Sequence, residues 1–127
     1  EENEQVLAGV ARALRPGGRF FMDYLNPEHV EATLVPASAR EEGGYHIIER
    51  RWIDRGRRRV NKRLRVTRGE TVVMDTSESV RLYPQAEMRA LLQRAGLEVD
   101  LVFGDYAGTP WDPEQPRMIL LGKRGAA

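Results

Sequence analysis

Leu14-Arg15-Pro16-Gly17-Gly18-Arg19-Phe20-Phe21-Met22-Asp23-Tyr24-Leu25-Asn26-Pro27 is the stretch on which the fold turns. Pro16-Gly17-Gly18 ends the element before it, and Asn26-Pro27 ends the one after it. The run from Arg19 to Leu25 is short and nearly all apolar. Such a strand, apolar on both sides, predicts a central parallel strand covered on both faces. Upstream, Val6, Leu7, Val10, Ala13 and Leu14 fall at helical spacing. Glu2 and Glu4 lie at the front of that helix and Arg12 and Arg15 at its rear, which suits the helix dipole.

Working outward, Glu28 to Leu34 has the makings of a short helix, while Pro36-Ala37-Ser38 and Gly43-Gly44 read as loop. Three strands are then expected, Tyr45 to Asp54, Arg58 to Arg68 and Thr71 to Tyr83, with glycine turns at Arg55-Gly56 and Gly69-Glu70. Val60, Lys62, Leu64 and Val66 share one face of the second. Pro84 suits the first turn of another helix. Met88, Leu91, Leu92 and Ala95 form its stripe and Gly96 its cap. A strand from Leu97 to Tyr106 follows, with Leu97, Val99, Leu101 and Phe103 alternating, then a proline-rich loop to Pro116 and a last apolar strand, Arg117 to Lys123. The expected organisation is residues 1–44 as helix, turn, strand and linker, 45–83 as an antiparallel meander, and 84–127 as a helix and a terminal antiparallel strand pair. The fold class is therefore α/β, half of a doubly wound sheet with a three-stranded antiparallel insert.

Composition narrows the function. The chain has 127 residues, 41% hydrophobic and 31% charged, a globular balance and a length suited to one domain or part of one. No apolar run has the ~18–20 residues that a membrane span needs. Cysteine is absent, which removes disulfides, thiolate ligands and a cysteine nucleophile and fits a reducing cytoplasm. His29 and His46 lack metal-ligand spacing, so no metal site is expected. The net charge is +1, yet residues 50–68 hold nine Arg and one Lys against Asp54 alone.

The residues match a family when taken in order. Asn3-Glu4-Gln5-Val6-Leu7 through Leu14-Arg15-Pro16-Gly17-Gly18-Arg19-Phe20 resembles the helix, PGG turn and fifth strand of class I S-adenosylmethionine-dependent methyltransferases. Met88-Arg89-Ala90-Leu91-Leu92-Gln93-Arg94-Ala95-Gly96-Leu97-Glu98-Val99 resembles the helix and strand before that family's C-terminal hairpin. Gly104 to Pro110 and Pro116 to Leu121 look like the ending of a small bacterial subgroup with a β insert after the fifth strand. The resemblance implies the C-terminal portion of such an enzyme, inactive alone. S-adenosylmethionine would be the methyl donor of the intact protein and a small molecule the acceptor. No glycine-rich G-x-G-x-G loop occurs here, so the resemblance implies no cofactor-binding residues in this chain and places them upstream of Glu1.

Candidate pocket residues follow from the rule that open α/β sheets bind ligands beyond the carboxyl ends of their strands. Asp23, Tyr24 and Asn26 lie at such an end. Asp23 or Asn26 can hold an amine or hydroxyl; alternatively Asn26-Pro27 is only a turn and Asp23 a cap. Tyr106 and Trp111 lie in the last loop and suit an aromatic wall over a cation, or simple packing of that loop. The arginine-rich meander suggests nucleic acid as an alternative partner, but with Trp52 as its only aromatic a solvated, aggregation-resistant face is the stronger reading. A third alternative is an assembly domain. A fifth strand without its upstream neighbour would leave an open edge, from which a homodimer or swapped assembly of the isolated chain is expected.

Overall fold

The computed structural model describes residues 2–125. They form two units, one built from the residues up to Val30 and from Tyr83 onward, the other from Glu31–Leu82.

In the first unit, α1 (Glu2–Ala13) leads into β1 (Arg19–Leu25), and α2 (Pro27–Thr33) carries the chain out of it. The chain returns through α3 (Gln85–Arg94), β6 (Leu97–Phe103) and β7 (Arg117–Arg124). The sheet order is β1-β7-β6, and every pairing is antiparallel. β7 is central, and Met118, Ile119 and Leu120 are at most 2% exposed. Leu7 and Ala11 of α1 and Met88, Leu91 and Leu92 of α3 meet Leu97, Met118 and Leu120 to make the core. Phe20, Met22 and Tyr24 supply one face of β1 to it.

Three expectations for this unit change. β1 is covered on one face only among the described residues, and Phe21 on the other is 60% exposed. The buried residues of α1 are Leu7 and Ala11, and Leu14 just beyond it packs on the core, while Val6 and Val10 are exposed. Simple alternation fails in β6 because the register slips between Val99 and Leu101. That bulge moves the inward side from Leu101, which is exposed, to Val102, which packs on the core.

The second unit is one antiparallel sheet in the order β2-β3-β4-β5, comprising β2 (Ala37–Glu42), β3 (Tyr45–Asp54), β4 (Arg59–Arg68) and β5 (Thr71–Arg81). The insert thus has four strands, not three, and Pro36-Ala37-Ser38 leads into a strand where a loop was expected. Gly43 and Gly44 have φ of +57° and +82°, the left-handed pair that a two-residue hairpin turn demands. They fold Ala37–Glu42 onto β3, with Glu42 opposite Tyr45. β2 escapes the strand pattern because it is an edge made of Ala, Ser, Arg and Glu, exposed throughout. Charge at such an edge hinders pairing with other chains. The linker expected up to residue 44 therefore belongs largely to this sheet.

Candidate functional site

The C-terminal end of β1 and the β6–β7 loop, residues 104–116, come together within the first unit. The loop is pinned at its base. Gly104 N–H donates to the Thr109 carbonyl (2.7 Å), and Arg117 N–H donates to the Gly104 carbonyl (2.9 Å). Gly104 is needed there, because a Cβ at that position would lie 2.4 Å from the Gln115 side chain. Asp105 Oδ1 accepts the backbone N–H groups of Ala107 (2.9 Å) and Thr109 (3.1 Å) and so orders the tip. The side-chain hydrogen bond from Thr109, with these backbone donors, holds the Asp105 carboxyl below its usual range.

Asn26 is fully buried. Its Nδ2 donates to the carbonyls of Asp112 (3.1 Å), Pro113 (3.4 Å) and Gln115 (2.8 Å). This amide therefore clamps the loop to the end of β1. His29 Nδ1 reaches the Glu114 carbonyl at 3.2 Å and supports the same segment. Tyr24 points to the core side. Its hydroxyl accepts the Tyr83 backbone N–H at 3.0 Å, and the two rings lie 6.4 Å apart. Trp111 packs against the core cluster, and its Nε1 is buried without a hydrogen-bond partner among the described residues.

Asp23 and Tyr106 are different. The Tyr106 hydroxyl donates to Asp23 Oδ2 (2.5 Å), and Arg117 Nε donates to Asp23 Oδ1 (2.5 Å). The Arg117 guanidinium also lies 5.6 Å from the centre of the Tyr106 ring, within cation–π range. Strand register explains the meeting. Leu25 pairs with Arg117, so Asp23, two residues earlier on the same face, is a diagonal neighbour of Arg117. Burial pushes the Asp23 carboxyl up, but the hydrogen bonds from Tyr106 and Arg117 and the Arg117 charge outweigh it and hold it below its usual range. The hydrogen bond to Asp23, and then burial, push the Tyr106 phenol up. At neutral pH the site thus presents a fixed carboxylate beside a protonated phenol on an exposed aromatic ring, 72% of whose residue surface is open.

Of the five residues expected from sequence, two make an accessible chemical group and three hold the scaffold. Arg117 was missed. It opens the last strand after Pro116, and only the pairing of that strand with β1 would have pointed to it. Among the described residues no helix is long and apolar enough to cross a membrane.

A scan of protein-family models gave no match. Cypemycin N-terminal methyltransferase from a Streptomyces species is 30% identical over 130 residues, covering 98% of this chain and 51% of that protein. Among solved structures, the CcbJ methyltransferase of Streptomyces caelestis superposes with a TM-score of 0.79 at 18% identity, over 98% of this chain and 53% of that one. The chain shares the fold of these methyltransferases, over about half of their length. An amino pentose methyltransferase of Micromonospora echinaspora, CalS10, solved with S-adenosylmethionine bound, agrees less closely, with a TM-score of 0.57 at 18% identity over 95% of this chain and 50% of its own. The chain spans about half the length of the curated relative that it matches. The order β1-β7-β6 pairs the single strand with the antiparallel strand pair expected at the C-terminal end of the sequence.

Proposed function

We propose that this chain is the C-terminal portion of a cytoplasmic S-adenosylmethionine-dependent methyltransferase, and that it supplies the acceptor side of the site. The acceptor is a small molecule with a nucleophilic amine. The observation that carries this reading is the Asp23–Tyr106–Arg117 group at the carboxyl end of β1, in a chain of methyltransferase fold. Similarity to an N-terminal methyltransferase and to an amino pentose methyltransferase favours an acceptor that bears an amine.

The chemistry asks mainly for alignment. S-adenosylmethionine, when bound by the intact protein, would supply the methyl group to the acceptor nitrogen, the carbon–sulfur bond breaking with its electron pair left on sulfur and the nitrogen giving up its proton to water. An ionised Asp23 accepts an N–H from the amine, which turns the lone pair away from the carboxylate and fixes its direction. Arg117 keeps Asp23 ionised, and the Tyr106 ring adds an electron-rich face beside the cation that forms.

The first test is calorimetric titration of this chain with S-adenosylmethionine. No saturable binding is expected, because this reading assigns the cofactor-holding residues to the rest of the protein. Saturable binding would overturn that placement. In a longer protein that contains this chain, Asp23→Asn should lower kcat/KM for an amine acceptor by about 10–100-fold, the worth of a hydrogen bond to a charged group. An unchanged kcat/KM sinks the role of Asp23.

The outer edge of β1 bears no strand among the described residues. We propose that two copies of the isolated chain pair through it, since unpaired backbone donors and acceptors on an apolar strand favour association. Light scattering should give twice the 14.5 kDa chain mass. A monomer at high concentration refutes the pairing.

A further inference from the structure

The two faces of the second sheet handle like charges differently. On one face Arg51 stands directly opposite Lys62, an arrangement that destabilises a sheet. It is answered by Glu49, only 8% exposed. Glu49 takes Lys62 at 3.6 Å, Arg40 at 3.7 Å and Arg51 more closely still. On the other face Arg50 stands directly opposite Arg63. Here the answer is incomplete. Arg63 forks onto Asp75 through two hydrogen bonds, of 3.1 and 2.9 Å. Arg65, opposite Asp75 in the ladder, leans on the same carboxylate by charge. Arg50 has no ion pair among the described residues.

Two guanidinium groups therefore share one carboxylate while the third, Arg50, has none, and with Ile48 the three arginines line a concavity of about 250 Å³. Trp52, two residues beyond Arg50 on the same face, is 48% exposed. We propose that Arg50, Arg63 and Arg65 form a binding site for the phosphate group of a small phosphate ester. A doubly charged anion matches the excess of two positive charges in the concavity. Guanidinium forks match phosphate oxygens in pairs, and Asp75 already holds Arg63 in place. Ile48 makes an apolar floor, and Trp52 offers the organic part of the ester a flat surface to stack on. The site lies wholly within the second unit and does not depend on the methyl-transfer reading.

The test is calorimetric titration of the chain with phenyl phosphate and, separately, with inorganic phosphate, at about 0.15 M salt so that loose surface electrostatics are screened. Saturable binding is expected for both, tighter for phenyl phosphate. Arg50→Gln should weaken phenyl phosphate about tenfold or more, the scale of one lost charge-assisted pair. Arg94→Gln, which removes an exposed arginine of the first unit paired with Glu4, should change it less than about twofold by the same conversion. Trp52→Ala should bring phenyl phosphate down to the level of inorganic phosphate. If Arg50→Gln loses its far-ultraviolet dichroism, Arg65→Gln reads the same site with a residue outside the Arg50–Arg63 pair. The assignment is overturned if the wild type shows no saturable binding, or if the Arg50 and Arg94 variants weaken equally. A single-stranded oligonucleotide that binds through the same arginines far more tightly, with a steep salt dependence, overturns it in favour of a polymer.

Discussion

The first unit is held together by what it hides, and the second by how its strands pair. Leu92, Leu97, Met118 and Leu120 of the first are less than 2% exposed and touch across two helices and a sheet. In the second sheet no strand residue but Glu49 is buried, and all eleven residues of β5 are exposed. Its order comes from long ladders, β3 with β4 and β4 with β5, from tight glycine turns and from charge pairs laid across strands. Apolar burial is non-directional and scales with area, whereas cross-strand pairs contribute only about 0.2–1 kcal/mol each. The two units should therefore respond very differently to single substitutions.

The largest difference is expected from truncating equivalent leucines. Leu92→Ala removes a side chain with no exposed surface and should cost about 2–5 kcal/mol. Leu64→Ala, half-buried on β4, should cost less than about 1 kcal/mol. Urea denaturation reads both, and the two tryptophans separate the units. Trp111 belongs to the first and Trp52 to the second, so a Trp52→Phe background isolates one signal and Trp111→Phe the other. Equal losses at the two leucines would break the contrast.

Next in size is Asn26. Replacing it with Ala strips three loop carbonyls of their shared donor and should cost about 1–3 kcal/mol. The loss should be local as well as global. Amide exchange in residues 105–115 should quicken before exchange in β7 does, and uniform acceleration would mean that the clamp does not act on the loop.

Glu49 gives a smaller effect with a definite pH sign. Burial pushes its carboxyl up, but the charges of Lys62, Arg51 and Arg40 prevail and hold it below the usual 4.5. A carboxyl lowered on folding stabilises above its unfolded value, and the benefit is lost as pH falls through the folded one. Acid should therefore weaken the second unit below about pH 4.5. Glu49→Gln should flatten that dependence while lowering stability at pH 7 by about 1 kcal/mol, since it leaves Arg51 and Lys62 facing each other without their carboxylate. Trp52 fluorescence against pH measures it, and an unaltered acid transition in the variant would remove Glu49 from the account.

How legible all this was depended on the kind of force involved. The core helices and the β1–β7–β6 sheet announce themselves through apolar spacing and through Pro16-Gly17-Gly18 and Gly96, because burial and backbone stops are written locally. β2 was not legible. An edge strand of Ala, Ser, Arg and Glu has no apolar face, and its only signal was the Gly43-Gly44 turn behind it. The bulge in β6 was equally hidden, since Leu97, Val99, Leu101 and Phe103 alternate faultlessly in sequence and the slip exists only against β7. At the candidate site Asp23 and Tyr106 could be singled out from their places at strand end and loop. That they meet, and that Arg117 completes them, is a property of register across 94 residues of chain.

The smallest expected effect is also the most discriminating about that site. Tyr106→Phe removes one hydroxyl from an exposed ring, so overall stability should move by less than about 0.5 kcal/mol. The Asp23 carboxyl should nevertheless respond. In the wild type it is expected to titrate below 3.8 because Tyr106 and Arg117 outweigh the effect of burial. With the phenol gone, burial still opposes ionisation and Arg117 alone favours it, so the titration should move upward. Carboxyl carbon-13 shifts followed from pH 2 to 6 read this directly. Arg117→Gln should move it further in the same direction, since it removes a hydrogen bond and a charge together. If neither variant shifts Asp23, the carboxylate is not held by these partners, and the end of β1 loses its claim to a pre-set anionic group.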